Sequence, residues 1–175
     1  MSRDILQLIL CYVWNVPIEL RVIICNYAWD YLCDEKIQNA VNECNCLHKI
    51  LLYGHIEYWD TSRVTNMDNL FSGLATFNSD ISRWNTSNVT SMKAVFASAN
   101  SFNQQIGNWD VSSVESMQYM FYKAFAFNQP LNAWNVSKVC DMQYMFYSAR
   151  SFNHPLNDWN VSKVINGNLM LKVHF

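Results

Sequence analysis

Glycine and proline are scarce in this chain, with 4 Gly and 3 Pro among 175 residues. Flexible linkers and low-complexity disordered segments need far more of both, so neither is expected. Charge of one sign is also missing: 12 Lys and Arg stand against 14 Asp and Glu, a formal net charge of -2. Without a basic field nothing would hold a phosphate backbone, and nucleic acid is excluded as an expected partner. Long apolar runs are lacking too. The strongest candidate, Ile5 to Trp14, is about ten residues, against the roughly 18 to 20 of a membrane span. Asp4 precedes it, Gln7 interrupts it and no small-residue cleavage site follows, so it reads as an intracellular start and not as a secretory signal. Leu10 before Cys11 likewise fails the small residue of a lipoprotein box.

Cysteine is present but not periodic. Five of the six (Cys11, Cys25, Cys33, Cys44, Cys46) precede residue 47 and only Cys140 follows, so no disulfide or metal framework is expected. "CNCLH" (Cys44, Cys46, His48) on a helix would spread its ligands around the axis, and no second pair at metal spacing accompanies it. Ser/His/Asp, Cys/His and paired-carboxylate arrangements are absent, as is a glycine-rich phosphate loop. The expectation is a protein without catalysis, metal or cofactor.

What is abundant is apolar: 51% of residues are hydrophobic and 15% aromatic. They recur with a period. "WNVSKV" occupies 134–139 and again 159–164, and tryptophans fall at 59, 84, 109, 134 and 159, a spacing of 25 throughout. The aligned unit reads I/L-x-x-W-[DN]-[TV]-S-x-V-x-x-M-x-x-[LVM]-F-x-x-[AL]-x-x-F-N, complete in four copies and decaying in the fifth after Val164. A fixed period of this length marks a stacked array, in which each unit buries its apolar face against the next. Within a unit, Ile106, Trp109 and Val111 suit a short strand, and Val114, Met117, Met120, Phe121 and Ala124 follow the spacings of three and four of a helix face. Ser62, Ser87, Ser112, Ser137 and Ser162 precede that face as N-caps would, Ser112 forming a capping box with Glu115. The expected fold is an α/β, leucine-rich-repeat-like solenoid of about five 25-residue strand-helix units behind an N-terminal α-helical cap. The expected domains are a helical segment at 1–57 and the repeats at 58–175, with a degenerate last unit.

"FNSDISRWNTSNVTSMKAVF", "FNQQIGNWDVSSVESMQYMF" and the segment I/L-x-x-W-x-[TV] resemble the BspA-like leucine-rich-repeat surface proteins, over residues 56 to about 165. That repeat also occurs in mycoplasma lipoproteins as a domain of unknown function. The resemblance implies a curved solenoid that binds proteins or surfaces without catalysis, and, as one alternative, a surface adhesin. A second resemblance is shorter: Val16-Pro17-x-Glu19-Leu20-x-x-x-Ile24-x-x-Tyr27 is similar to the opening of an F-box. It implies a ubiquitin-ligase substrate receptor docking a Skp adaptor through Pro17, Leu20 and Ile24.

Two surfaces are candidates for a protein partner. Outward strand positions would line a concave face: Tyr58, Asp60, Arg83, Asn85, Asn108, Asp110, Asn135, Asp158 and Asn160. On the opposite, convex side, Tyr119 and Tyr122 of unit three would gather with Tyr144 and Tyr147 of unit four, where units one and two carry Asn69, Ser72, Ala94 and Ala97. The Trp row and the Asn row (Asn78, Asn103, Asn128, Asn153) read as core and as backbone-satisfying ladder respectively. At the other end Asn166-Gly167-Asn168 reads as a turn, after which the last unit either caps itself with "LMLKVHF" or leaves an edge whose C-terminal strand would let copies self-associate.

Overall fold

The structure, a computed structural model, describes residues 32–42 and 55–171. It overturns the α/β reading. Among these residues the regular elements are one helix, α1 (Asp34–Asn42), and a short 3₁₀ helix, Ile56–Tyr58. The repeats hold neither helix nor strand. The only β-type pairings between successive units among the described residues are isolated parallel bridges, Asn66 to Ser91, Ser91 to Ser116, Ser116 to Asp141 and Asp141 to Asn166. The strand-helix unit is therefore not what these residues form, and of the helical cap expected at 1–57 the described residues hold one short α-helix, with 1–31 and 43–54 outside them.

Turns take the place of both elements. In unit three the N–H groups of Trp109, Val114, Met120, Ala124 and Phe127 donate to the carbonyls of Ile106, Val111, Met117, Phe121 and Ala124. Every one of these closures joins two buried apolar residues three apart. A turn brings residues i and i+3 together and leaves its two middle residues outside. The spacing of three that reads as a helix face is thus the spacing of turn ends.

A helix is avoided because alternate N–H groups are used elsewhere. In a helix the Phe121 N–H would reach back to Met117. Here it donates to the Met145 carbonyl of the next unit at 2.8 Å, flanked by Met117 to Asp141, Tyr119 to Gln143 and Lys123 to Tyr147, each at 2.9 Å. The same ladder joins Met67, Asn69, Phe71 and Gly73 to the next unit, then Met92, Ala94, Phe96 and Ser98, then Met142, Tyr144 and Phe146. It is polarised: in this row the earlier unit always donates and the later one accepts.

Aiming alternate N–H groups one way takes the backbone into the left-handed region. Asn69 (φ 59°), Ala94 (54°), Tyr119 (58°), Tyr144 (55°) and Leu169 (54°) lie there at one position of the unit. Gly73 (77°), Ser98 (59°), Lys123 (55°) and Ser148 (58°) lie there four residues on. Each non-glycine residue so placed costs about 1 to 2 kcal/mol. The conformation persists because the ladder on one side and the buried rings on the other over-determine it.

The expected N-cap serines have another role. In each unit the preceding Asx side chain, Asp60, Asn85, Asp110, Asn135 or Asn160, accepts the N–H of Ser62, Ser87, Ser112, Ser137 or Ser162 at 2.9 to 3.2 Å. These are Asx turns, for which a short side-chain oxygen two residues before the N–H is the requirement.

The core is a pair of aromatic rows. Phe71, Phe96, Phe121 and Phe146 stack at 5.3 to 5.6 Å between centroids. Phe77, Phe102, Phe127 and Phe152 form a second row at 5.8 to 6.0 Å. The rows meet ring on ring at 3.9 to 4.2 Å. Burying one Phe contributes about 1.5 to 3 kcal/mol, and each aromatic pair adds roughly 0.5 to 1.5. The tryptophans close the same core: Trp84, Trp109, Trp134 and Trp159 donate their indole N–H to Ile56, Ile81, Ile106 and Leu131 of the preceding unit.

Helix α1 covers the first turn of this stack. Ile37, Ala40 and Val41 make one buried stripe that joins the common core with Leu32. Inside the stack the Thr90 N–H donates back to Thr65 and the Glu115 N–H to Thr90. Thr65 has no such neighbour, and Asp34 stands in for it: its carboxylate accepts the N–H groups of Thr65 (2.7 Å) and Asn66 (3.0 Å) and the Thr65 hydroxyl (2.7 Å). Gln38 supplies a donor in turn, from Nε2 to the Asp68 carbonyl at 2.8 Å. Partial burial raises the Asp34 pKa, but the three hydrogen bonds outweigh it and hold the carboxyl below its ordinary value. No helix among the described residues is long and apolar enough to cross a membrane.

Candidate functional site

Tyr119 and Tyr144 occupy the left-handed position of units three and four, and Tyr122 and Tyr147 close the turn that begins at each. One repeat of stacking therefore sets the rings in register. Tyr119 lies over Tyr144 with centroids 5.1 Å apart and planes 4° off parallel, and Tyr122 over Tyr147 at 5.5 Å and 14°. Within each unit the two rings meet edge to face at 5.5 Å. All four are half-buried. The Lys123 ammonium lies 5.1 Å from the Tyr122 ring centroid, a cation held on the patch. Gln118 donates to Gln143 across the same two units at 2.9 Å.

The polar positions are placed differently. Asp60, Asn85, Asp110, Asn135 and Asn160 are exposed at one position of successive units, but each uses its Oδ1 in an Asx turn. Asn108 donates to the Ser82 carbonyl, and Asp158 pairs with Asn132 through both its N–H and its carboxylate. Tyr58 is half-buried under the Arg83 guanidinium, 5.9 Å from its ring centroid. With no strand in the unit, "concave" and "convex" no longer describe these faces. The Asn row is a ladder: Asn78, Asn103 and Asn128 accept the N–H of Asn103, Asn128 and Asn153 at 2.9 to 3.0 Å. Pro17, Leu20 and Ile24, like Cys44, Cys46 and His48, lie outside the described residues.

Ionisable groups with shifted pKa values are explained by turns. The Ser82 N–H and hydroxyl hold Asp80 below its ordinary value, and the Ser112 hydroxyl and N–H do so for Asp110. Among the described residues no three of His, Cys, Asp and Glu are gathered as a metal would need. Sequence reasoning missed Asp34 and Gln38, which no local pattern marks. It also missed the Asx turns, although [DN]-x-S in all five units is their signature.

The chain matches a family described as Mycoplasma protein of unknown function, DUF285, over residues 35–139 and again over residues 84–174. The two matches start about two repeat units apart, as expected of a family model that itself spans several turns. No curated protein and no solved structure matches it. Since the matched residues run from Glu35 to His174, and cover the whole described repeat array, the chain belongs to the DUF285 family of mycoplasma proteins of unknown function.

Proposed function

We propose that this repeat protein is a non-catalytic binding module that captures a protein partner on the patch formed by Tyr119, Tyr122, Tyr144 and Tyr147. The observation that supports the reading is the contrast between units that share one core. The Phe and Trp positions and the first Met position repeat unchanged over the four units, yet only units three and four set tyrosines at the two outer turn positions, where units one and two have Asn69, Ser72, Ala94 and Ala97. In the core the same units differ at one position, with Met120 and Met145 for Leu70 and Val95. Half-buried tyrosines offer large rigid contact area and a hydroxyl at little entropic cost, which is why they are enriched in interfaces. The polar row is the weaker candidate, because its oxygens are already committed to turns.

The test is a capture experiment on the full chain, comparing it with Tyr122→Ser combined with Tyr147→Ser. Both positions have ordinary backbone φ, so the double variant should still fold, with its unfolding midpoint lowered by the lost ring contacts. A partner held by the parent chain and lost by the folded double variant supports the reading. Equal capture by both, with the variant folded, sinks it.

A further inference from the structure

Around the tyrosines the outer turn positions carry charge of one sign. In unit three the turns that close at Met120, Ala124 and Phe127 leave outside them, as their middle residues, Gln118 and Tyr119, Tyr122 and Lys123, and Phe125 and Ala126. At these positions of units two to four the ionisable residues are Lys93, Lys123 and Arg150, with no carboxylate among them, although the chain as a whole has more Asp and Glu than Lys and Arg. All three cations are exposed, and among the described residues none meets a carboxylate at ion-pair distance.

Rings hold two of the three. The Lys123 ammonium lies 5.1 Å from the Tyr122 ring centroid, and the Arg150 guanidinium 4.9 Å from that of Phe125, which fills the Arg150 position one unit earlier. The flanking acidic residues are engaged or set apart. Asp68 accepts the Ser91 hydroxyl and the Lys93 N–H, and Asp141 accepts the Gln143 N–H. Glu115 belongs to the row of Thr65 and Thr90, ahead of the bridge at Ser116.

We propose, resting on the tyrosine reading above, that what the patch captures is an acidic segment of polypeptide in which Asp or Glu stands among apolar residues. Its carboxylates accept from the Lys123 ammonium and, two bonds at a time, from the Arg150 guanidinium, while its apolar side chains lie against the tyrosine rings. Cations already placed by rings lose less freedom on pairing than cations on mobile stems. A basic segment would meet three like charges, and a neutral one would use the rings and ignore the cations.

The test selects short random peptides displayed on phage against the immobilised full chain, and remakes the enriched sequences with a fluorescein label for anisotropy. The enriched sequences should be rich in Asp and Glu beside apolar residues. Binding should weaken about tenfold or more with Lys123→Glu combined with Arg150→Glu, and survive Lys123→Arg. It should also weaken as salt rises, a readout that needs no variant to fold. The proposal is overturned by an absence of enrichment, by neutral or basic winners, by acidic winners that ignore the charge reversal, or by equal displacement with single-stranded DNA, which would show charge without peptide recognition. Neutral winners lost on combining Tyr122→Ser with Tyr147→Ser would leave the tyrosine reading standing while this one falls. Acidic winners that survive those two changes would sink both.

Discussion

At the Trp59 end of the described stack a helix supplies a carboxylate and an amide to the first turn, while at the Trp159 end the last described turn leaves Leu169 and Leu171 exposed. Both ends belong to one ladder, yet among the described residues side chains of α1 bond the peptide groups of one, and the apolar side chains of the other are exposed. The row that begins at Met67 donates towards later units, whereas the row through Thr65, Thr90 and Glu115 donates back towards earlier ones. The first turn therefore needs both an acceptor and a donor, which Asp34 and Gln38 supply.

The contrast can be broken most strongly in α1. Ile37 is fully buried, so Ile37→Ala should cost about 2 to 5 kcal/mol of stability, whereas Leu171→Ala at the other end should stay within roughly 0.5. Urea unfolding midpoints check both. Next comes Asp34→Ala, which leaves the N–H groups of Thr65 and Asn66 without their acceptor and should cost about 1 to 3 kcal/mol. Amide exchange should then accelerate at those two residues before it does so in units two and three.

Substitution by glycine works in the opposite direction. Ser98→Gly and Lys123→Gly put at positive φ the residue that unit one already has there in Gly73, and each should gain about 1 kcal/mol. Leu169→Gly should gain a similar amount if the exposed edge holds its shape. No gain there would show the edge frayed, and would separate it from the interior more sharply than exposure does. The smallest effect is electrostatic. Asp34, Asp80 and Asp110 all have folded pKa values below ordinary, so their contribution is complete above about pH 4 and fades as pH falls through the folded values. Midpoints measured from about pH 6 to about pH 2 should fall, and fall less in Asp34→Asn.

The period, the inward residues and the grouping of tyrosines could be read from the sequence because all three depend only on spacing. Stacking at a fixed period puts Tyr119 beside Tyr144 whatever the backbone does between them. The backbone itself was not legible. Met117, Met120, Phe121 and Ala124 face inward on a helix and equally as the ends of successive turns, so the apolar pattern is degenerate between the two. What decides is whether an N–H finds its acceptor four residues back or in the next unit, a long-range choice. The left-handed residues could have warned of it only in unit one, where Asn69 and Gly73 are types that tolerate positive φ. Tyr119, Lys123 and Tyr144 give no such hint. Asp34 and Gln38 were silent for a similar reason, since their partners lie about 30 residues away.

In this fold alternate peptide groups bond between units and not within a helix. Scalar couplings across hydrogen bonds, measured by NMR on isotope-labelled full chain, test it directly. Couplings are expected from the Phe96 nitrogen to the Met120 carbonyl carbon and from the Phe121 nitrogen to that of Met145. Couplings from Phe96 to Met92 and from Phe121 to Met117, as a helix requires, would contradict it.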